Sequence, residues 1–271
     1  MVGLNNVKET VSKILSFFEM QKVYKDRGIV VNTPCKHMIF TGNPGTAKTT
    51  TARIINDILY EKGVTKLRKI VEVGRAQLVG KYLGHTGPMV QAAIKEARGG
   101  ILFIDEAYSL VDGKAGMYGD EAINTLVQEM DNVREDAIII FAGYPDKMEG
   151  FLNTNPGLRS RIGFHVKFDN YSKDELIQIL KNMAKEQNFK LSKAAIKIAE
   201  KEIARAINTK DFGNGRFVRT LLEQAIMSQS TRLVQTQNYV EMDDEEIFTI
   251  HPEDINNMNV SQDDRVMGFK I

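Results

Sequence analysis

Two short stretches carry residue types and spacings suited to phosphate chemistry. The first is Gly42-Asn43-Pro44-Gly45-Thr46-Ala47-Lys48-Thr49, which follows the apolar run His37 to Thr41 and precedes Thr50 to Leu59. Ala52, Ile55 and Leu59 recur at helical spacing, so the stretch reads as strand, glycine-punctuated loop and helix. A loop that enters a helix points several backbone N–H groups and the positive dipole end at one spot, which suits a phosphate chain. Lys48 would reach the β- and γ-phosphates and the Thr49 hydroxyl would ligate Mg²⁺. One residue departs from the usual pattern. Ala47 stands where glycine normally precedes the lysine, and its Cβ would crowd the phosphates or resist a positive φ if the loop requires one. An ordinary strand-to-helix turn would also explain Gly and Pro here, but not Lys-Thr placed at the helix start.

The second stretch is Gly100-Ile101-Leu102-Phe103-Ile104 running into Asp105-Glu106. A continuous apolar run fits a parallel strand covered on both faces. Its C-terminal edge is where open α/β sheets bind ligands. There Asp105 would hold the Mg²⁺ shell and Glu106 would polarise an attacking water. An Asp-Glu pair in isolation would merely start a loop after a buried strand; following a phosphate loop, it reads as catalytic.

These groups need a scaffold, and composition bounds it. The chain has 271 residues, 42% hydrophobic and 26% charged, enough for one large domain and a smaller one. Its formal net charge is +1 with no dominant Lys/Arg block, which argues against a nucleic-acid partner. A single cysteine, Cys35, leaves no internal disulfide and fits a reducing cytoplasm, and four scattered histidines offer no zinc-like spacing. No apolar run approaches the ~20 residues that span a bilayer, so a cytoplasmic protein without a membrane partner is expected.

In chain order, Met1-Val2 leads directly into Gly3-Leu4 and an amphipathic pattern through Val11, Ile14, Leu15 and Phe18, an abrupt start that hints at a piece of a longer chain. Further strands are expected at Lys69 to Val73, Ala137 to Ala142 and His165 to Phe168. Helices are expected from Pro88 to Ala97, capped by Thr86, from Glu121 to Met130 and around Lys147 to Leu152. Between the second strand and the Pro88 helix lies Lys81-Tyr82-Leu83-Gly84, an aromatic in a polar, glycine-bounded loop. Asp112 to Gly119 reads as a mobile loop. Five strands with helical crossovers argue for an α/β fold with a doubly wound parallel five-stranded sheet. From Tyr171 the pattern turns to helices only, giving domains 1–170 and 171–260 and a tail 261–271. The acidic run Glu241 to Glu246 reads as a solvated turn.

Together these motifs resemble the AAA+ ATPases, and within them the branch of CbbX-type (CfxQ-like) Rubisco activases and stage V sporulation protein K. The likeness runs from Val2-Gly3-Leu4 to the helical lid and is carried by Gly42 to Thr46, Gly80 to Thr86, GILFIDEAY at Gly100 to Tyr108, Ala142-Gly143-Tyr144 and PGLRSRI at Pro156 to Ile162. The resemblance implies an ATP- and Mg²⁺-dependent hydrolase forming a homo-oligomeric ring, commonly a hexamer, whose pore-loop aromatics pull on a client protein. It implies that Val2, Gly3 and Leu4 pack on the adenine, that Asn43 to Thr50 cradle the phosphates, and that Lys81, Tyr82 and Leu83 form the pore loop. Arg216 of Gly-Asn-Gly-Arg would sense the γ-phosphate from the lid. Arg161, or failing it Arg159, would be the finger offered to a neighbour's site. Tyr144 stands where many relatives carry Asn or Thr as a polar sensor. Two other readings share the nucleotide motifs: a DNA-translocating or clamp-loading ATPase, and a slowly hydrolysing nucleotide-gated ring. The identity of the client is not legible in the sequence.

Overall fold

The computed structural model describes residues 1–29, 35–82, 84–111, 117–209, 212–236 and 242–256. They divide into two compact units, one of Met1 with Gly3–Asn170 and one of Val2 with the chain from Tyr171 onward.

The first unit opens with α1 (Asn5–Asp26), followed by β1 (His37–Gly42), α2 (Lys48–Glu61), β2 (Ile70–Val73), the short α3 (Arg75–Leu78) and α4 (Thr86–Ala97). Then come β3 (Ile101–Ile104), a 3-10 turn (Ala107–Leu110), α5 (Met117–Asn132), β4 (Ile138–Gly143), α6 (Pro145–Thr154), α7 (Pro156–Arg161) and β5 (Ile162–Phe168). All five strands pair in parallel in the order β2-β3-β4-β1-β5. Parallel neighbours need long crossovers, which the helices supply. Both faces are thereby covered, so β3 and β4 are buried at every position and read in sequence as unbroken apolar runs. On one face Ile39, Leu102, Ile104, Ile139 and Phe141 join Val90 and Ile94 of α4, Leu126 and Met130 of α5 and Phe151 of α6 in one core. Elsewhere α2 packs on β1 and β3, and α1 packs on β5 through Phe17 and Phe18 against Phe164.

Strand order places β4 between β1 and β3, so its C-terminal end separates the phosphate loop from the two carboxylates. A buried histidine helps set this alignment. His37 Nδ1 accepts the Ile139 N–H at 3.0 Å, so Nε2 carries the hydrogen that goes to the Met130 carbonyl at 2.9 Å. Burial lowers its pKa to about 4 and keeps the ring neutral.

Several local expectations are corrected. Thr86 is not the cap of α4 but its first residue, with His85 at the cap position. Its hydroxyl instead accepts the Gly80 N–H at 3.1 Å, closing the base of the preceding loop. The helix expected at Glu121 begins at Met117, where Met117 to Gly119 had read as loop, and the strand expected at His165 begins at Ile162. Residues 112–116 of the supposed mobile loop lie outside the described residues, as does the tail 261–271.

The second unit comprises α8 (Lys173–Glu186), β6 (Lys190–Leu191), α9 (Lys193–Ala206), α10 (Gly215–Gln235), α11 (Asp244–Ile247), β7 (Thr249–Ile250) and α12 (Pro252–Asn256). Ser172 and Ser192 cap α8 and α9, their hydroxyls accepting from Glu175 and Ala195 N–H groups. The unit is not helical throughout, because β6 and β7 form a two-residue parallel pair. That pair is set by distant chain, which local periodicity does not reveal. The acidic run is likewise more than a solvated turn: Asp243 caps α11 by accepting the Glu246 N–H at 2.8 Å. Asp254, almost fully buried, accepts from Arg232 Nε at 2.8 Å and Nη2 at 3.0 Å, and from the His251 N–H at 2.8 Å. No helix among the described residues is long and apolar enough to cross a membrane.

Candidate nucleotide site and an exposed aromatic loop

The phosphate loop runs from the end of β1 to the start of α2. At Gly42 a Cβ would lie 2.6 Å from Phe168 Cβ and 2.7 Å from its carbonyl oxygen, so only glycine lets β5 pass this closely. Thr46 is buried and donates its hydroxyl to the Asn43 carbonyl at 2.8 Å, folding the loop back on itself. Gly45 and Ala47 are both left-handed, at φ 70° and φ 65°. The loop thus does require the positive φ that an alanine resists. Lys48 Nζ donates to the carbonyls of Gly42 at 2.8 Å and Asn43 at 2.9 Å, so the lysine is pointed along the loop by its own backbone. Thr49 is half-buried and Thr50 exposed in the first turn of α2. Asn43 donates to the Asn170 side chain at 2.9 Å, and Pro44 is half-buried.

Asp105 and Glu106 follow β3, both exposed at the same sheet edge. Asp105 Oδ1 accepts the Glu106 N–H at 2.9 Å. Glu106 itself is left-handed at φ 48° and caps the 3-10 turn. Tyr144, at the end of β4, stands between the two stretches. Its hydroxyl lies 3.5 Å from Glu106 Oε1 and its ring centroid 5.8 Å from Lys48 Nζ, and it stacks on Tyr108 at 5.4 Å. Lys147 Nζ lies 4.5 Å from the Tyr108 centroid. Burial, with the Glu106 charge second, pushes the Tyr108 phenol well above its ordinary range. Tyr108 acts as the floor on which Tyr144 rests, a role that sequence spacing does not signal.

Mg²⁺ suits this donor set. A hydroxyl and a carboxylate are hard oxygen ligands, and Mg²⁺ is commonly held by one or two protein oxygens while waters and phosphates complete the shell. Among the described residues no group of three His, Cys, Asp or Glu side chains could hold a metal unaided.

The remaining candidate residues lie just before α1, on α7 and on α10. Gly3 and Leu4 are left-handed, and Leu4 is buried as the cap of α1. Asn6 ties that helix to the end of β5, donating to the Lys167 carbonyl at 3.0 Å and to Asp169 at 2.7 Å. Val2 is half-buried and groups with the second unit. Arg216, also in the second unit, is exposed in the first turn of α10. Both Arg159 and Arg161 lie on α7. Arg159 donates to Glu149 at 2.7 Å and Asn153 at 3.0 Å; Arg161 grips one oxygen of Asp131 with Nε and Nη2 and donates to the Gly157 carbonyl at 3.2 Å.

Between α3 and α4 the chain projects a loop. Gly80 is pressed against His85, where a Cβ would lie 2.6 Å from His85 Cβ, and Thr86 holds the Gly80 N–H. Above this closed base Lys81 is exposed and Tyr82 is 67% exposed, its ring meeting only the edge of His85 at 5.5 Å among described aromatic contacts. Leu83 lies outside the described residues. A large aromatic so exposed is not a packed anchor of its own unit.

Comparison with known proteins agrees with this geometry. Residues 38–170 match the family described as "ATPase family associated with various cellular activities (AAA)", and residues 172–265 match the AAA lid domain. The chain is 41% identical over 257 residues to the chloroplastic ribulose bisphosphate carboxylase/oxygenase activase of Cyanidioschyzon merolae, covering 94% of this chain and 87% of that protein. It is 39% identical to protein CbbX of Cereibacter sphaeroides (94% and 82% covered) and 38% identical to stage V sporulation protein K of Bacillus subtilis (94% and 79% covered). Among solved structures, the Thermotoga maritima RuvB Holliday junction branch migration motor superposes with a TM-score of 0.62 at 23% identity, covering 94% of this chain and 68% of that one. The FIGL-1 AAA domain in complex with ADP gives 0.65 at 18%, covering 94% and 80%. These structural likenesses carry the fold alone. The chain belongs to the AAA ATPases, in the branch that holds the CbbX-type Rubisco activases and stage V sporulation protein K.

Proposed function

We propose that this protein hydrolyses ATP in a homo-oligomeric ring, a hexamer by family likeness, and uses the energy to pull on a client protein in the cytoplasm. Lys48 and the backbone from Asn43 to Thr50 would hold the phosphates, and Gly3 and Leu4, with Val2, the adenine. When bound, Mg²⁺ would sit on Thr49 and Asp105 and neutralise charge on the phosphates. Glu106 would take the proton from the attacking water, with Tyr144 as its hydrogen-bonding neighbour. Arg216 would sense the γ-phosphate. Arg161 would act as the finger after exchanging Asp131 for a neighbour's phosphate, with Arg159 as the second candidate; a finger serving in trans requires a head-to-tail ring.

The observation that carries the client reading is the exposure of Tyr82 on a loop closed at its base by Gly80 and Thr86. An aromatic held out in water by a built loop is suited to gripping another chain. The near-neutral charge favours a protein client over DNA. A slowly hydrolysing ring is the second reading, supported by the strained Ala47.

The test uses Glu106→Gln as an ATP-bound trap. Proteins retained by the trap in ATP should be lost when Tyr82→Ala is added, while Tyr82→Ala alone keeps nucleotide affinity and melting temperature. A packed Tyr82 would instead cost about 3–5 kcal/mol on truncation. A clear fall in melting temperature, or an unchanged set of retained proteins, would remove the client role of Tyr82.

A further inference from the structure

Glu106 is held in a conformation that a glutamate adopts only under constraint. A non-glycine residue in the left-handed region costs roughly 1–2 kcal/mol and persists where the surroundings over-determine it. Three ties do so here. The Glu106 N–H donates to Asp105 Oδ1, its carbonyl accepts the Ser109 N–H at 2.8 Å, and the Asp105 N–H donates to the Val73 carbonyl at 2.9 Å. A fourth comes from outside the turn. Arg75 Nη1 donates to the Ser109 carbonyl at 2.6 Å, so the residue that holds Glu106 is itself held by a guanidinium.

Arg75 is placed to do this by the sheet. Val73 of β2 pairs with Ile104 of β3, so α3 begins beside the turn that follows β3. The same short helix leads through Leu78 and Val79 into Gly80, the base of the loop that presents Tyr82. Arg75 therefore touches the Glu106 turn with its side chain, while its carbonyl accepts the Val79 N–H at 2.9 Å, one residue before the base of the Tyr82 loop. An ordinary strut between α3 and the 3-10 turn would show the same bond but would not make the pose of Glu106 depend on the loop.

We propose that Arg75 is a positioning residue that holds Glu106 in its strained pose and links that pose to the Tyr82 loop. The link rests on the reading of Glu106 as the water-activating carboxylate and of the Tyr82 loop as a working part.

The experiment compares Arg75→Met, which keeps the aliphatic stem, and Arg75→Lys, which can still donate to the Ser109 carbonyl, with the wild-type full chain. Steady-state turnover, binding of a fluorescent ATP analogue and thermal melting are measured. Lys-C cleavage of the Lys81–Tyr82 bond is followed by mass spectrometry in ATPγS and in ADP. Arg75→Met should lower kcat roughly tenfold while KM and analogue affinity stay within about twofold, and Arg75→Lys should recover much of the loss. In the wild type the cleavage rate should differ between the two nucleotides, and in Arg75→Met the difference should vanish. An unchanged kcat in Arg75→Met overturns the positioning role. A joint loss of kcat, affinity and melting temperature in both variants reduces Arg75 to a structural strut. Cleavage that ignores the nucleotide in the wild type, or still follows it in Arg75→Met, breaks the link to the loop. If the wild type binds nucleotide without turning it over, the proposed hydrolysis fails, and the cleavage comparison alone decides the link.

Discussion

Ala47 at φ 65° on the loop before α2 and Glu106 at φ 48° on the turn after β3 are both forced into the left-handed region, and they differ in what the strain places. At Ala47 the backbone turns so that the loop can enter α2, and the methyl adds nothing that a glycine would lack. At Glu106 the turn carries a carboxylate to within 3.5 Å of the Tyr144 hydroxyl, and a glycine would delete the group being placed. Strain of similar size is thus removable in one loop and inseparable from the proposed chemistry in the other.

The largest effect that tests this contrast is expected from Glu106→Gln. Turnover should fall on the order of 10²–10⁴-fold while ATP still binds, measured by phosphate release and calorimetry. Unchanged turnover would make the strain at Glu106 as idle as that at Ala47. A smaller effect is expected from Tyr144→Phe, which keeps the stack on Tyr108 and removes the hydroxyl. At 3.5 Å that hydrogen bond is long, so kcat should fall by less than about tenfold with KM unchanged. A shift confined to KM would move Tyr144 from Glu106 to the nucleotide. The smallest is Ala47→Gly. Relief of the left-handed alanine is partly offset by the extra freedom of glycine in the unfolded chain, so stability should rise by at most about 1 kcal/mol, with nucleotide bound slightly more tightly. A lower denaturation midpoint would show that the methyl is packed to advantage after all.

Much of the scaffold was legible because its causes are local or periodic. Strands buried on both faces read as apolar runs, Lys48-Thr49 and Asp105-Glu106 marked one sheet edge, and Ser172 and Ser192 announced their helices. What could not be read was set by distant chain. The spacing of Thr86 before a helix is the same whether its hydroxyl caps that helix or reaches back to Gly80. The left-handed turn at Glu106 depends on Ser109 and Arg75, and nothing in the local string around Arg75 points to a backbone carbonyl beyond the next strand. The β6–β7 pair is two residues long, too short to leave a pattern. The possible conflict at Ala47 was visible in the residue type; that the loop demands a positive φ there was not.

Asp254 sits almost at the end of the described chain, yet it is the acceptor on which Arg232, in the middle of the second unit, depends. A half-buried guanidinium has few other partners, since Glu253 approaches no nearer than 3.9 Å. The unit is therefore closed by some of its latest-made residues. During synthesis α8, α9 and α10 are made before Asp254, so the bond that holds Arg232 of α10 can form only once Asp254 has emerged. For anyone cutting the chain into fragments, a lid that stops before Pro252 would be sensitive to protease where one that includes α12 would not.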